Sequence, residues 1–162
     1  MKLNRYHAVA VSAALAAIGT FAAVGLSSTG SGVVQANPVA KASYNQTVHL
    51  NNDSIKFQTK EPTDVRVQTL TFSPAGRTGW HHHPGFVIVA VQSGEVTVFD
   101  AACNPTSYGP SSPNGGVFVE SGDNPIEVRN LTTSTATVYA TFVAPRVDPA
   151  VFRIEDAPPA CA

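Results

Sequence analysis

The stretch that decides the fold is residues 74–94, PAGRTGWHHHPGFVIVAVQSG. It contains a short apolar run, 86–92, which lies between Pro84-Gly85 and Ser93-Gly94. A run of this length, rich in Val and closed by turn-forming residues, predicts a β-strand. His81 and His83 precede the run and are two residues apart, so on an extended chain their side chains lie on the same face.

The same pattern of short runs continues on both sides of this stretch. Each run is rich in Val, Ile, Thr and Phe and is bounded by Gly, Pro, Asn or Ser, and none has the periodicity of a helix. The predicted strands are 65–72, 80–83, 86–92, 95–99, 117–120, 126–130, 136–143 and 151–154. Strands at this spacing predict an all-β sandwich, jelly roll or barrel. An immunoglobulin sandwich is excluded, because its tryptophan lies between two core cysteines, whereas Trp80 precedes both cysteines here.

Alternation within these runs predicts which side chains point inward. Ile126 and Val128 alternate with Glu127 and Arg129, so we expect the aliphatic pair to face the core and Glu127 to face solvent. The run 86–91 is apolar on both faces, which predicts a strand that is covered on both sides.

The first 36 residues have the pattern of an export leader. Two basic residues and no acid precede the uncharged run 8–26, and Val34-Gln35-Ala36 offers a cleavage point before Asn37. The alternative is an uncleaved anchor, because a run of this length can span a bilayer. We therefore predict a secreted or cell-envelope protein. Its predicted parts are a leader or anchor (1–36), a polar N-terminal arm (37–64), and a β-barrel with a C-terminal tail (65–162).

Composition and charge limit the classes of function. The chain has 162 residues, of which 43% are hydrophobic and 13% charged, which suits a single domain with a buried core. Ten Lys and Arg oppose eleven Asp and Glu, and this balance argues against a nucleic-acid binder that neutralises phosphates. The sequence also lacks the G-x-S-x-G motif on which a serine hydrolase could be argued.

The two cysteines bear on the compartment. Export would place Cys103 and Cys161 in an oxidising environment, where each has the other as its only partner within the chain. A bridge between them would hold the C-terminal tail against a loop. The alternative is two free thiols in a reducing cytosol.

Two stretches of the sequence resemble the conserved motifs of the cupin family. The first is residues 74–94, and the second is residues 115–130, GGVFVESGDNPIEVRN. The resemblance covers about residues 65 to 145 and is to the small single-domain cupins exported by bacteria, which often pair a loop cysteine with one near the C-terminus. It implies a small antiparallel jelly-roll barrel with a metal or ligand site in its mouth.

Both motifs depart from the cupin pattern at a metal-ligand position. A glutamate is expected seven residues before the closing Gly94, where this chain has Val87. A third histidine is expected four residues before Asn130, where this chain has Ile126. Two aliphatic side chains thus stand where the resemblance implies two ligands.

The resemblance leaves two histidines that could hold a metal. Neutral imidazoles of His81 and His83 suit iron, manganese, nickel or zinc, and Glu120, Gln92 or a carboxylate of the arm could complete a variant site. The alternative is no cofactor, with the two histidines hydrogen-bonded at the barrel mouth. His82 points to the opposite face, where we expect it to meet solvent.

These observations support two hypotheses about function. The predicted pocket is lined by Trp80, His81, His83, Phe86, Val87 and Ile126. Because the aliphatic replacements make this pocket apolar, the sequence favours the first hypothesis, an exported cupin-domain protein that binds a small molecule or has a structural role, without turnover. The second is a metal-dependent cupin enzyme, of dioxygenase or isomerase type, that uses His81 and His83. The expected partners are a small molecule and a second copy of the chain, and a membrane only if the leader is retained.

Overall fold

The computed structural model describes residues 30–35 and 38–162. Its strands are β1 (Ser31–Gln35), β2 (Ala40–Tyr44), β3 (His49–Asn51), β4 (Lys56–Gln58), β5 (Thr63–Arg77), β6 (His81–His82), β7 (Phe86–Ser93), β8 (Val96–Phe99), β9 (Pro105–Tyr108), β10 (Val117–Ser121), β11 (Glu127–Arg129), β12 (Ala136–Pro145) and β13 (Ile154–Glu155). Across these residues no helix is long and apolar enough to cross a bilayer. The uncharged run 8–26 and the cleavage point after Ala36 lie outside the described residues.

Nine of these strands form one antiparallel sheet that bends into a nearly closed barrel. The strand order is β10-β7-β12-β5-β11-β8-β9, and β1 and β2 also pair with β5. The long strand β5 organises the barrel, because β12 pairs along it from Thr63 to Phe72 while β1, β2 and β11 take its other edge. The predicted all-β antiparallel barrel is confirmed.

The N-terminal arm is more regular than its polar sequence indicates. Strand β2 is exposed along its whole length yet pairs with β5 from Ala40 to Tyr44. Backbone hydrogen bonds hold this strand, so no apolar alternation marks it in the sequence. Strand β1 pairs with β5 at Val33, Val34 and Gln35. A chain cleaved after Ala36 would lose this strand together with the leader.

The core lies on the inner face of the barrel and follows the two-residue period of its strands. On β7 the side chains of Val87, Val89 and Val91 are buried, whereas Ile88 is 43% exposed. Next to Ile88 across the strand pair is Val119, which is 60% exposed. The prediction that the 86–91 strand is covered on both sides is therefore wrong, because its outer face is open to solvent.

The prediction that Glu127 faces solvent is also wrong. It shares a face with Arg129, as alternation predicts, but it is fully buried. Arg129 donates from Nε to the Glu127 carboxylate at 2.6 Å, and its guanidinium carbon lies 4.4 Å from the ring centre of Phe99, the register partner of Glu127. The arginine and the neighbouring strand thus cover a carboxylate that we expected to face solvent.

Asn130 is the polar side chain that ties β11 to its neighbours, and it is fully buried. Its Nδ2 donates to the carbonyl oxygens of Phe72, Ser73 and Ser134 at 3.1, 3.2 and 2.7 Å. Its Oδ1 accepts from both the amide and the hydroxyl of Thr132, at 2.9 and 2.8 Å. One side chain therefore binds main-chain groups of both β5 and the turn after β11.

We expect Asn130→Ala to lower the free energy of unfolding by about 3 kcal/mol, because buried main-chain groups would lose their partners. Urea denaturation measures this loss. Asn104→Ala is the matched control, since Asn104 is exposed and makes one side-chain bond, to Asp100. A loss below about 1 kcal/mol for Asn130→Ala would contradict the role assigned to this side chain.

Candidate functional site

The short strand β6 places the histidines between two other segments. The amide of His81 donates to the carbonyl of Ile126 at 2.9 Å, and the amide of Ile126 donates back at 2.8 Å. On its other edge β6 pairs with β13, in the register His82 to Ile154. The histidines are thus fixed between the turn before β11 and the C-terminal tail.

His81 is held as a neutral ring with one free nitrogen lone pair. The ring is 3% exposed, and its Nδ1 lies 2.9 Å from the carbonyl oxygen of Gly79. Gly79 has φ 75°, a left-handed conformation that glycine adopts without strain. Burial, followed by the nearby charge of Arg153, lowers the pKa of His81 to about 3. At neutral pH Nδ1 therefore carries the proton and donates it to the carbonyl, which leaves Nε2 as a ligand atom.

His83 is arranged in the same way but faces a carboxylate. Its Nδ1 donates to the carbonyl oxygen of Phe152 at 2.5 Å. Its Nε2 lies 2.8 Å from Oε2 of Glu120, within the range of an ion pair, yet this nitrogen is buried and has no hydrogen-bond partner. The two atoms are therefore close without the alignment of a donor and an acceptor, an arrangement typical of two ligands that face a common ion.

Together His81, His83 and Glu120 form a buried cluster of possible metal ligands. The ligand atoms that these three residues offer all lie within 4.8 Å of one another. The two imidazole rings are nearly perpendicular, with their centres 4.9 Å apart. Two imidazoles and a carboxylate are the donor set of a facial triad, in which three protein ligands leave other coordination positions open.

Glu120 reaches the histidines from the neighbouring strand. On β10, Phe118 and Glu120 are buried while Val117 and Val119 are exposed, so the glutamate shares the inner face. Its register partner on β7 is Val87, where the cupin pattern would place a glutamate. The carboxylate is therefore displaced by one strand, within the same row of the barrel.

The cluster opens into a cavity of about 770 Å³ inside the barrel. Apolar side chains from several strands line much of it, among them Leu70, Val89 and Phe142. Charged side chains line it as well, including Arg66 and the pair Arg153 and Glu155. This volume lies within the range of small-molecule sites.

Of the residues predicted to line the pocket, the structure places His81 and His83 on the cavity wall. Trp80 and Val87 are almost fully buried, and Phe86 and Ile126 are half-buried; these four lie outside the cavity lining.

The remaining candidates are placed as follows. His82 lies on the opposite face, but it is half-buried, and its Nδ1 is 2.7 Å from Oδ2 of Asp156. It was expected to meet solvent, and it contacts the tail instead. Gln92 is exposed and lies outside the cavity lining, and of the predicted carboxylate donors Glu120 is the one that the structure brings to the histidines. Sequence alternation around Phe118 is the signal that could have favoured Glu120.

The predicted pairing of the cysteines is confirmed. Cys103 and Cys161 form a disulfide between residues 58 positions apart in the sequence. It fastens the end of the tail to the loop between β8 and β9. The same tail supplies the Phe152 carbonyl that orients His83.

No protein-family model matches the sequence, and no curated protein matches it significantly. Among solved structures, the chain is similar to a sugar phosphate isomerase of the cupin superfamily from Silicibacter pomeroyi. The two are 20% identical over 57% of this chain and 56% of the isomerase, with a TM-score of 0.46. A conserved protein of unknown function from Streptococcus pyogenes is 14% identical over 67% of this chain and 77% of its own, with a TM-score of 0.44.

An oxalate oxidase in complex with glycolate is 19% identical over 54% of this chain and 44% of the oxidase, with a TM-score of 0.42. The match thus spans about half the length of the isomerase and less than half of the oxidase.

Proposed function

We propose that this protein is an exported, metal-dependent enzyme that acts on a small molecule held in the barrel cavity. His81, His83 and Glu120 would be the three protein ligands of a divalent transition metal ion. The sequence favours a protein without turnover, and the proposal takes the alternative, the metal-dependent enzyme. The reason is the position of Glu120, whose carboxylate lies close to the ligand atoms of both histidines.

The observation that carries the proposal is the contact between His83 Nε2 and Glu120. Because Nδ1 of His83 donates to Phe152, a neutral ring can present only a lone pair toward the carboxylate. A lone pair and a carboxylate oxygen at 2.8 Å repel each other in a buried site unless a proton or another cation lies between them, and the contact lacks the alignment of a hydrogen bond that a proton would make. A divalent ion with N and O ligands satisfies both atoms, so the residues present fit a metal.

The hydrogen bonds behind the ligands support the same interpretation. Metal-binding histidines usually donate their second ring nitrogen to a carbonyl or carboxylate, which fixes the tautomer and the ring orientation. Both histidines do so here, to Gly79 and to Phe152. The chain thus holds Nε2 of each ring in position before any ion arrives.

The donor set also indicates a class of chemistry. Two histidines and one carboxylate with open positions suit a non-haem Fe(II) centre, which when bound activates oxygen or a coordinated substrate. The apolar walls at Leu70, Val89 and Phe142 would exclude water and hold the carbon skeleton of a substrate. The buried carboxylate of Glu120 would offset part of the charge of the ion.

The test is elemental analysis of the full protein, purified without an affinity tag from the compartment in which it accumulates. We expect close to one equivalent of a transition metal in the wild-type protein and a loss of at least about 90% of it in His81→Ala/His83→Ala. The control is His49→Ala, since His49 is exposed and lies on β3, outside the cluster. Less than about a tenth of an equivalent in the wild type, after incubation with Fe²⁺, Mn²⁺, Ni²⁺ or Zn²⁺, would refute the metal site.

The intact mass of the same sample tests export, which predicts a chain without its leader and with a closed disulfide.

A further inference from the structure

Arg66 is a charged side chain of the cavity wall that the proposed metal site does not use. It lies on β5 and is half-buried. Its guanidinium carbon is 4.5 Å from the ring centre of Phe142 and 4.3 Å from that of Phe152. Both contacts are within the range of cation–π interactions, so the two rings hold the guanidinium in place inside the cavity.

The charge of Arg66 has no acidic partner within the part of the chain that the structure describes. The other cavity arginine that approaches the histidines, Arg153, donates to both oxygens of Glu155 and to the carbonyl of Thr78. Arg66, by contrast, forms no ion pair with any described residue, and its Nε is buried without a hydrogen-bond partner among them. Burial lowers the pKa of the Arg66 guanidinium, although an arginine remains charged at neutral pH. A partly buried cation without a counter-ion is costly, and an anionic ligand in the cavity would offset this cost.

The position of Arg66 relates it directly to the metal cluster. Glu120, Val87, Phe142 and Arg66 are consecutive register partners across β10, β7, β12 and β5. They form one row on the inner face, with the metal ligand at one end and the arginine at the other. Neighbouring strands are about 4.8 Å apart, so the path along the curved sheet between the backbones of the end residues is about 14 Å, and the straight distance across the barrel is shorter. Phe142 lies between the two sites, since its ring centre is also 5.6 Å from that of His83.

We propose that Arg66 binds a carboxylate group of the substrate, so that the cavity takes a small organic acid. This inference rests on the proposed function only for the other end of the molecule, which would lie at His81, His83 and Glu120. The two terminal amino groups of a guanidinium form a fork that matches the two oxygens of a carboxylate. Phe142 then lies beneath the carbon skeleton that joins the two ends.

The test measures binding of defined probes to the full protein by isothermal titration calorimetry, first without metal and then with Zn²⁺. The probes are succinate, its neutral diamide succinamide, and inorganic phosphate. We expect succinate to bind and succinamide to bind at least about tenfold more weakly, equivalent to about 1.4 kcal/mol. Phosphate should also bind more weakly than succinate. Equal affinity for succinate and succinamide, no binding of succinate at millimolar concentration, or tighter binding of phosphate would each overturn the proposal.

Substitutions of Arg66 then test whether this residue is the one that binds succinate. Arg66→Gln should weaken succinate binding at least about tenfold, and Arg66→Lys should do so too, because a lysine keeps the charge but loses the fork. The lysine variant retains a cation against the two rings, so it stays informative if the glutamine variant fails to fold. The matched control is Arg77→Gln, which removes an exposed arginine of the same cavity wall. Equal losses in Arg77→Gln and Arg66→Gln would show only a diffuse positive charge and overturn the assignment.

The result is separable from the metal proposal. Succinate binding that depends on Arg66 in a protein that takes up no metal would support the carboxylate site and refute the proposed metal function. Normal metal uptake, with succinate binding that does not change when Arg66 is replaced, would support the metal site and refute the carboxylate site.

Discussion

Glu120→Gln is expected to lower the affinity for a divalent transition metal by more than about 100-fold, since removing a ligand should exceed the 10- to 100-fold effect of changing the groups behind ligands. Glutamine keeps the shape of the side chain and removes its charge. Titration of Zn²⁺ into metal-free protein measures the loss. Glu61→Gln, an exposed change of the same kind, should leave the affinity unchanged.

The same variant separates a metal ligand from a structural ion pair. If His83 were protonated and paired with Glu120, breaking this buried pair would cost about 3 to 5 kcal/mol of unfolding free energy with or without metal. If both are ligands, metal-free Glu120→Gln should be at least as stable as the metal-free wild type, because a buried unpaired carboxylate has been removed. Added Zn²⁺ should then raise the melting temperature of the wild type but not of the variant. A metal-independent loss of stability would contradict the ligand assignment.

Moving the carboxylate back by one strand extends this test. Val87 and Glu120 are register partners on the same inner face, so Val87→Glu with Glu120→Val presents a carboxylate from the neighbouring strand. We expect this double variant to recover part of the metal affinity that Glu120→Val alone loses. Its melting temperature reports whether the barrel tolerates a glutamate at position 87.

The barrel was predictable from the sequence because its strongest elements bury one face. On β12 apolar and polar residues alternate, and β7 is an uninterrupted apolar run between turn residues, so both strands can be recognised in the sequence. Strands β1 and β2 leave no such signature, since they are mostly exposed and are held by backbone pairing with β5. The interaction that fixes them does not depend on side-chain type.

The sequence predicted the two histidines of the site but did not single out its carboxylate. Alternation gives the face of a residue, and it correctly placed His81 and His83 together. The choice of Glu120 among three possible donors needed the register of β10 against β7, which is set by distant pairing. For Glu127, alternation correctly predicted that it shares a face with Arg129 but not that it is buried. Its burial depends on the Arg129 side chain that covers it.

Removing the disulfide by Cys103→Ala/Cys161→Ala is expected to lower the free energy of unfolding by about 4 kcal/mol, since the bridge closes a loop between residues 58 positions apart. Urea denaturation of the variant and of the oxidised wild type measures the difference. The reduced wild type is the control and should lose a similar amount. A loss below about 1 kcal/mol in both samples would mean that the tail remains docked without the bridge.

The consequences of this change should extend to the metal site, because the tail orients the ligands. Phe152 accepts the hydrogen bond that fixes the His83 tautomer, Arg153 donates to the carbonyl of Thr78, and β13 pairs with β6. A tail that is released at its end holds Phe152 less firmly, so we expect metal affinity to fall by about tenfold, as for other changes behind the ligands. If stability falls while metal affinity is unchanged, pairing of β13 with β6 alone suffices to position His83.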